Sequence, residues 1–188
     1  MYVRAGLRWE PEELLALRKF VKTLHGFRIA ALKILDLPMT DTAAKHWSVT
    51  GRGVPGYRAA SSSNYIVGRN LSLLVKAAVF CAYHRIGEIA MAPLNANRFP
   101  DARPQFFRAV ERAIALGVGL PVKIRVPFGG LGKAQVIRRG TGLALGFTLS
   151  CARPRGLVHC GACTKCAERI AAFTAAGIAD PTRYRARV

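Results

Sequence analysis

The chain has 188 residues, 51% of them hydrophobic, which is enough length for one domain with a real core. No apolar run approaches the roughly 18 residues of a membrane span, and the opening MYVRAGLRWEPEELL lacks a signal-peptide core and turns acidic early, so a cytoplasmic, non-membrane protein is expected. Lysine and arginine number 29 against 10 acidic residues, a net charge of +19 that favours polyanionic partners, but the basic residues form no single tract, which ranks nucleic acid behind a small molecule.

In chain order, the residues from Pro11 to Leu24 predict a helix. Leu14, Leu17, Val21 and Leu24 recur at helical spacing, and a proline with two glutamates marks the first turn. IAALKILDL (29–37) reads as a mostly buried strand. Residues 39–68 read as loop, broken by GRGVPG and SSSN. A long apolar helix follows Asn70, and EIAMAPL (88–94) reads as a strand. Another helix opens after Asp101, with Pro104 near its start and Phe106, Phe107, Val110, Ile114 and Leu116 largely on one face. VKIRVPF (122–128) is a strand, Lys133–Arg139 a short helix, and the chain closes on a helix that takes in the last two cysteines of a cluster. Alternating strand and helix predict an α/β fold with a parallel sheet flanked by helices. The organisation expected is a single domain, with an α/β body over residues 1–149 and a metal-binding segment with the C-terminal helix over 150–188.

Cys151, Cys160, Cys163 and Cys166 lie eight, two and two residues apart. Tetrahedral zinc takes four thiolates, a Cys-x-x-Cys pair supplies two from one turn, and a helix N-terminus favours the thiolate form. Gly156 and Gly161 give the loop freedom to wrap an ion. Four thiols point to a closed structural Zn2+ site rather than a catalytic one with an open position. Two rivals are weighed against it. A redox pair Cys160–Cys163 lacks a preceding strand and leaves Cys151 and Cys166 unexplained. A zinc-stabilised nucleic-acid-binding module has only Arg153, Arg155, Lys165 and Arg169 nearby. Cys81 reads as a core residue, His159 as a loop histidine, and His46 with Trp47 as loop packing, with the lining of a pocket as the alternative.

VGRN (67–70), FPDARPQFF (99–107), PFGGLGKAQVIRRG (127–140), SC with HCGACTKCAER (150–169) and AGIADPTRY (176–184) occur in this order. With them the chain, from about residue 2 to 184, resembles the 7-cyano-7-deazaguanine synthases of queuosine biosynthesis, in the PP-loop ATP pyrophosphatase superfamily, with its adenine nucleotide alpha-hydrolase-like fold. The resemblance implies an ATP-dependent carbon–nitrogen ligase using Mg2+, with 7-carboxy-7-deazaguanine and ammonia as substrates and the nitrile as product, and it admits a homodimer. It implies Arg69 and Lys133 as catalytic cations and Asn70, Asp101 and Arg103 as substrate-binding residues, converging at the C-terminal ends of the strands. Three structural roles stand beside these: Arg69 and Asn70 as a helix start, Asp101 as an N-cap before ARPQFF, and Lys133 as a solvated lysine at a helix start. A non-catalytic relative that binds without turnover is the alternative. Where the family commonly shows Tyr-Pro-Asp-Cys-Arg, this chain has Phe99-Pro100-Asp101-Ala102-Arg103, and where the family carries an acidic-aromatic stretch it has Asn95-Ala96-Asn97-Arg98. The superfamily's phosphate loop, Ser-Gly-Gly-x-Asp-Ser, does not occur among the 188 residues. The resemblance places the first strand at the centre of the sheet. It therefore implies a gap there, and a native start about two dozen residues before Met1.

Overall fold

The computed structural model describes residues 1–186. Strand and helix alternate: β1 (Tyr2–Arg4), α1 (Glu10–Lys22), β2 (Ile34–Asp36), α2 (Trp47–Thr50), α3 (Arg69–Tyr83), β3 (Glu88–Ala90), α4 (Pro104–Val118), β4 (Lys123–Arg125), α5 (Lys133–Arg139) and α6 (Thr164–Ala176). The α/β expectation holds, with parallel strands, flanking helices and a four-cysteine cluster near the C-terminus. The strands do not form one sheet. β1 pairs with β2 and β3 with β4, as two separate parallel pairs.

The turn from β1 into α1 is held by one buried carboxylate. Glu10 accepts the backbone N–H groups of Ala5 at 2.6 Å and Gly6 at 3.0 Å. Glu10, Glu12 and Glu13 at the start of α1 and Lys19 and Lys22 at its end oppose the helix dipole. The strand expected over 29–37 shrinks to Ile34–Asp36, with Ile29 exposed, because β1 offers only three residues to pair with.

Ser61–Tyr83 reaches a mean hydropathy of 1.4 and is long enough to span a membrane by composition, contrary to the expectation that no such run exists. It is a 3-10 turn (Ser61–Asn64), a break and then α3, whose inner face of Leu74, Ala78 and Cys81 packs on Phe107, Val110 and Ile114 of α4. Cys81 is thus a core residue, as expected. Leu116 departs from the predicted face and is 86% exposed. It lies two residues past Ile114, about 200° round a helix from it.

α3 begins after Gly68, which takes a left-handed φ of 67°. Its first turn is capped from outside. Asp101, buried in the 3-10 turn Pro100–Ala102, accepts the backbone N–H of Asn70 at 2.9 Å through Oδ2, while Asn70 Nδ2 donates to the Asp101 carbonyl at 2.9 Å. Asp101 therefore caps α3, 31 residues away, rather than the helix that follows it. A separate cluster of Ile137 from α5 with Ala172, Phe173 and Ala176 from α6 holds the C-terminal helices together.

Replacing Asp101 by Ala leaves the Asn70 backbone N–H short of its acceptor, while the Asp101 carbonyl still accepts from the Asn70 side chain, and is expected to cost about 1–2 kcal/mol. Asp101→Asn, which keeps an acceptor oxygen, is expected to cost less than half as much. Urea unfolding of both variants measures this; equal losses would refute the cap.

Candidate functional site: a four-thiol centre beside an aromatic pocket

The four thiols come from three local structures. Cys151 follows the 3-10 turn Leu145–Phe147, Cys160 follows a tight Arg155–Val158 turn, Cys163 is the N-cap of α6, and Cys166 sits in its first turn. Gly156 and Gly161 take left-handed φ of 56° and 77° on either side of Cys160. The four Sγ atoms lie within 4.8 Å of one another and all four residues are buried. Cys160 and Cys166 are 3.8 Å apart and Cys163 and Cys166 3.5 Å, close to the roughly 3.8 Å between sulfurs bonded at about 2.3 Å to one tetrahedral ion.

Backbone N–H groups of Arg153 and Cys160 donate to Cys151 Sγ at 3.2 and 3.1 Å, and that of Ala162 to Cys160 Sγ at 3.4 Å. Such donors favour thiolate. Hydrogen bonding with Cys151 holds Cys160 far below the usual thiol range and Cys163 at about 6, while hydrogen bonding with Cys160 drives Cys151 far up. Four thiolates this close repel one another in a buried site, so a full thiolate set requires a cation at the centre. An all-sulfur, buried, four-ligand cage is compatible with zinc and leaves no open coordination position. All five cysteines are free thiols.

His159 is buried rather than a surface loop residue, packed edge-on against Tyr184 at 5.7 Å. Burial, aided by the Arg169 charge, pulls its pKa down to about 4 and keeps it neutral.

The cysteine segment walls a cavity of about 200 Å³ lined by Trp9, Trp47, Asn64, Tyr65, Arg69, Asn70, Phe99, Asp101, Ser150, Cys151 and Lys165 among others. Trp9 and Trp47 stack with centroids 5.6 Å apart, and Tyr65 and Phe99 face each other at 4.8 Å. Trp47 therefore both packs in its loop and lines the cavity. Arg69 Nε is buried without a hydrogen-bond partner, a state that costs free energy unless a ligand or water accepts from it.

The residues singled out in the sequence separate here. Arg69, Asn70 and Asp101 line this cavity, whereas Arg103 lines a different surface groove with Arg108 and Arg125. Lys133 sits one residue back from the cavity wall. Its Nζ lies 2.8 Å from Glu168 Oε2, which also meets Lys165 Nζ at 2.9 Å, and Glu168 Oε1 accepts from Asn64 Nδ2 at 3.1 Å. Burial alone would raise the Glu168 pKa, but Lys165 and Lys133 together hold it at about 2. The Trp9, Tyr65, Phe99 and Lys165 contributions escaped sequence reasoning. For Tyr65 the available signal was the aromatic and asparagine content of the segment read as loop; Trp9, Phe99 and Lys165 lie outside it.

The family described as "Queuosine biosynthesis protein QueC" matches residues 5–177. The chain belongs to the QueC family. A 7-cyano-7-deazaguanine synthase of Methylococcus capsulatus is 41% identical over 106 residues, which cover 52% of this chain and 47% of the relative. One from an Anaeromyxobacter species is 36% identical over 144 residues, covering 71% of this chain and 62% of the relative. One from Thermoplasma volcanium is 33% identical over 127 residues, covering 64% and 53%. The match spans about half to three-fifths of the length of these curated relatives. Within this QueC-family chain, the matched residues 5–177 contain all four cysteines and every polar residue of the cavity named above.

Two outcomes are expected. Purified protein should carry one equivalent of tightly held metal, and Cys166→Ser should lower the metal content and the melting temperature together, since binding energy at such a site is folding energy; full stability without metal would refute a structural centre. For Glu168, a folded-state pKa below the unfolded one contributes stability that is complete above the unfolded value and lost as pH falls towards about 2. Glu168→Gln should therefore cost about 1–2 kcal/mol at pH 7, allowing for partial solvent screening, and the difference should shrink as pH falls below about 4. A gap that stays constant from pH 7 to 3 would contradict this.

Proposed function

We propose that this chain carries the ligase chemistry of 7-cyano-7-deazaguanine synthases, converting 7-carboxy-7-deazaguanine and ammonia to the nitrile at the aromatic cavity, in the cytoplasm. The observation that supports it is the unpartnered Arg69 Nε in a cavity walled by aromatic rings and amide side chains. A flat heteroaromatic ring suits the faces of Trp47, Tyr65 and Phe99, since stacked aromatic pairs add about 0.5–1.5 kcal/mol beyond burial. Asn64 and Asn70 offer amide groups for a purine-like edge, although each already spends part of its capacity within the protein. Arg69 and Lys165 are the cations at the cavity and suit the substrate carboxylate.

Lys133 then serves as a positioning residue: through Glu168 it helps hold Lys165 and Asn64. Asp101 acts in the same way on Arg69 and Asn70 by fixing the start of α3. Arg103, away from the cavity, is assigned no contact with the ring. ATP with Mg2+ would activate the carboxylate as an acyl adenylate, first for attack by ammonia and then for dehydration of the amide. The ion of the four-thiol cage is zinc in this reading. It sets the position of Ser150, Cys151 and Ala152 in the cavity wall and takes no part in the reaction.

The departures from the family's Tyr-Pro-Asp-Cys-Arg at Phe99 and Ala102 favour one second reading, a relative that binds the deazaguanine without turnover. Calorimetry with 7-carboxy-7-deazaguanine and mass detection of nitrile and AMP separate the two. Binding at micromolar strength is expected, weakened about tenfold to a hundredfold by Arg69→Ala, the loss of a charge-assisted hydrogen bond. Binding without ATP-dependent nitrile supports the non-catalytic relative, and no binding at all refutes both.

A further inference from the structure

A groove of about 890 Å³ lies at the end of the β3–β4 pair, between residues 93–98, the start of α4 and residues 124–130. No residue of β1 or β2 takes part in it. Four arginines line it, Arg98, Arg103, Arg108 and Arg125, against one carboxylate, that of Glu111. Glu111 is already committed. It meets Lys123 Nζ at 3.0 Å and accepts the backbone N–H of Ile124 at 2.9 Å. Arg125 is paired with Glu88 at 2.7 Å. Among the described residues, Arg98, Arg103 and Arg108 form no ion pair, and all three are exposed.

Three like charges thus face one hollow with nothing on the chain to offset them. Arg108 and Arg112 also stand four residues apart on α4, a like-charge spacing that destabilises a helix, and the first turn of α4 has no acidic residue. The arrangement calls for anions from outside. Several partners fail to meet it. A further strand finds the outward N–H of Ile124, on β4, already taken by Glu111. A second copy of the chain brings another net charge of +19. A planar bilayer reaches only the rim of a concave groove. A single nucleotide is short for it: Arg103 and Arg108 are about 7 Å apart along the α4 axis, one nucleotide step of an extended strand, and Arg98 lies on a separate loop. Exposed amide side chains, Asn95 and Gln105, stand among the arginines. Amides read base edges, while guanidinium planes stack on bases and pair with phosphates. A nucleic-acid strand uses all of these properties; an acidic peptide uses only the charge.

We propose that the groove between α4 and the end of β4 binds a short stretch of single-stranded nucleic acid. Arg98, Arg103 and Arg108 neutralise successive backbone phosphates, and Asn95 and Gln105 meet the base edges. Binding of this kind is tolerant of sequence and strongly dependent on salt, because each neutralised phosphate releases counterions. Arg103, which stands away from the aromatic cavity, finds its partner here. The inference is independent of the ligase reading and needs nothing bound in the aromatic cavity.

The probe is a fluorescein-labelled single strand of twelve uridines, titrated with the full chain and followed by anisotropy between about 50 and 200 mM salt. Saturable binding is expected. Arg98→Ala, Arg103→Ala and Arg108→Ala together should weaken it at least tenfold. They should also flatten the slope of log K against log salt by about 2, since each phosphate contact on a single strand contributes about 0.7. Arg18→Ala, Arg28→Ala and Arg52→Ala together remove the same charge from exposed positions outside the groove and should leave binding within about threefold. Equal losses in the two triple variants overturn the proposal, because net charge alone then explains the binding. Absence of binding by the unaltered chain overturns it outright. Ultraviolet cross-linking of the same strand carrying 4-thiouridine should map to residues 93–108 or 124–130. Cross-links confined elsewhere overturn the proposal even if the groove variant fails to fold. Twelve-residue oligoglutamate, phosphatidylserine vesicles and uridine monophosphate are competitors at matched anion concentration. If one displaces the strand better than unlabelled strand does, the proposal falls in favour of an acidic peptide, a membrane or a single nucleotide respectively.

Discussion

Four sulfur atoms within 4.8 Å of one another, buried, are the constraint around which the irregular segments of the chain are arranged. A charge cluster of that density is tolerated in a low-dielectric interior only around a cation. The segments that supply the sulfurs are themselves irregular. Neither the stretch from Ser150 to Cys163 nor residues 54–66 has a sheet or a long helix to hold it. They hold each other through the cage: Gly56 bridges to Cys163, Thr164 N–H donates to the Pro55 carbonyl, and His159 pairs with the returning chain at Arg183 and Arg185. Ala5, Leu7, Trp9 and Ile66 pack directly on the cysteines. The aromatic cavity is a surface consequence of that packing, since Cys151 and Ala152 are part of its wall.

Beneath the cage, Arg169 does for the C-terminal segment what the four-cysteine cluster does for the loop. It is 5% exposed and donates to Thr182 Oγ1 at 2.6 Å, Thr148 Oγ1 at 2.9 Å and the Leu145 carbonyl at 2.9 Å, with Asp180 at 3.7 Å and the Phe173 ring 4.9 Å from its charge. A buried guanidinium with that many acceptors is fully committed, so truncating it would leave several oxygens unpaired at once. Part of the large positive charge of this chain is therefore spent internally. Arg69 is the contrast, a cation whose Nε is buried without any acceptor.

What could be read from the sequence follows from how local the determinants were. The cage was legible because ligand spacing is a property of a short stretch: eight, two and two residues, with two glycines where the backbone must turn left-handed. The short helix Lys133–Arg139 was legible between its flanking glycines. The cavity was not, because its walls come from segments far apart in the chain and its aromatic residues Trp9, Trp47, Tyr65 and Phe99 are scattered among them. Asp101 looked like the cap of the helix it precedes, but its carboxylate serves the helix 31 residues back, a tertiary fact with no sequence mark. Lys133 and Lys165 are equally plausible cations on paper; the carboxylate of Glu168, reached by both, decides that Lys165 lines the cavity and Lys133 stands behind it. The over-long strand at 29–37 failed for a related reason: apolar content allows a strand, but only a partner edge makes one.

A second cavity, of about 410 Å³ between β1 and β3, shares Arg69 and Glu13 with the aromatic one. Glu13 also accepts from the Tyr2 hydroxyl at 2.5 Å, so β1 is tied to a residue of the aromatic cavity. A change at either cavity that moves Arg69 or Glu13 is thus felt at the other. Helix α3 joins the two: its first turn holds Arg69 and Asn70 at the aromatic cavity, and its later turns supply Leu74, Ala77 and Cys81 to the second. The Asp101 cap at the start of this helix therefore lies on the path between the two sites, and its carboxylate fixes where both begin.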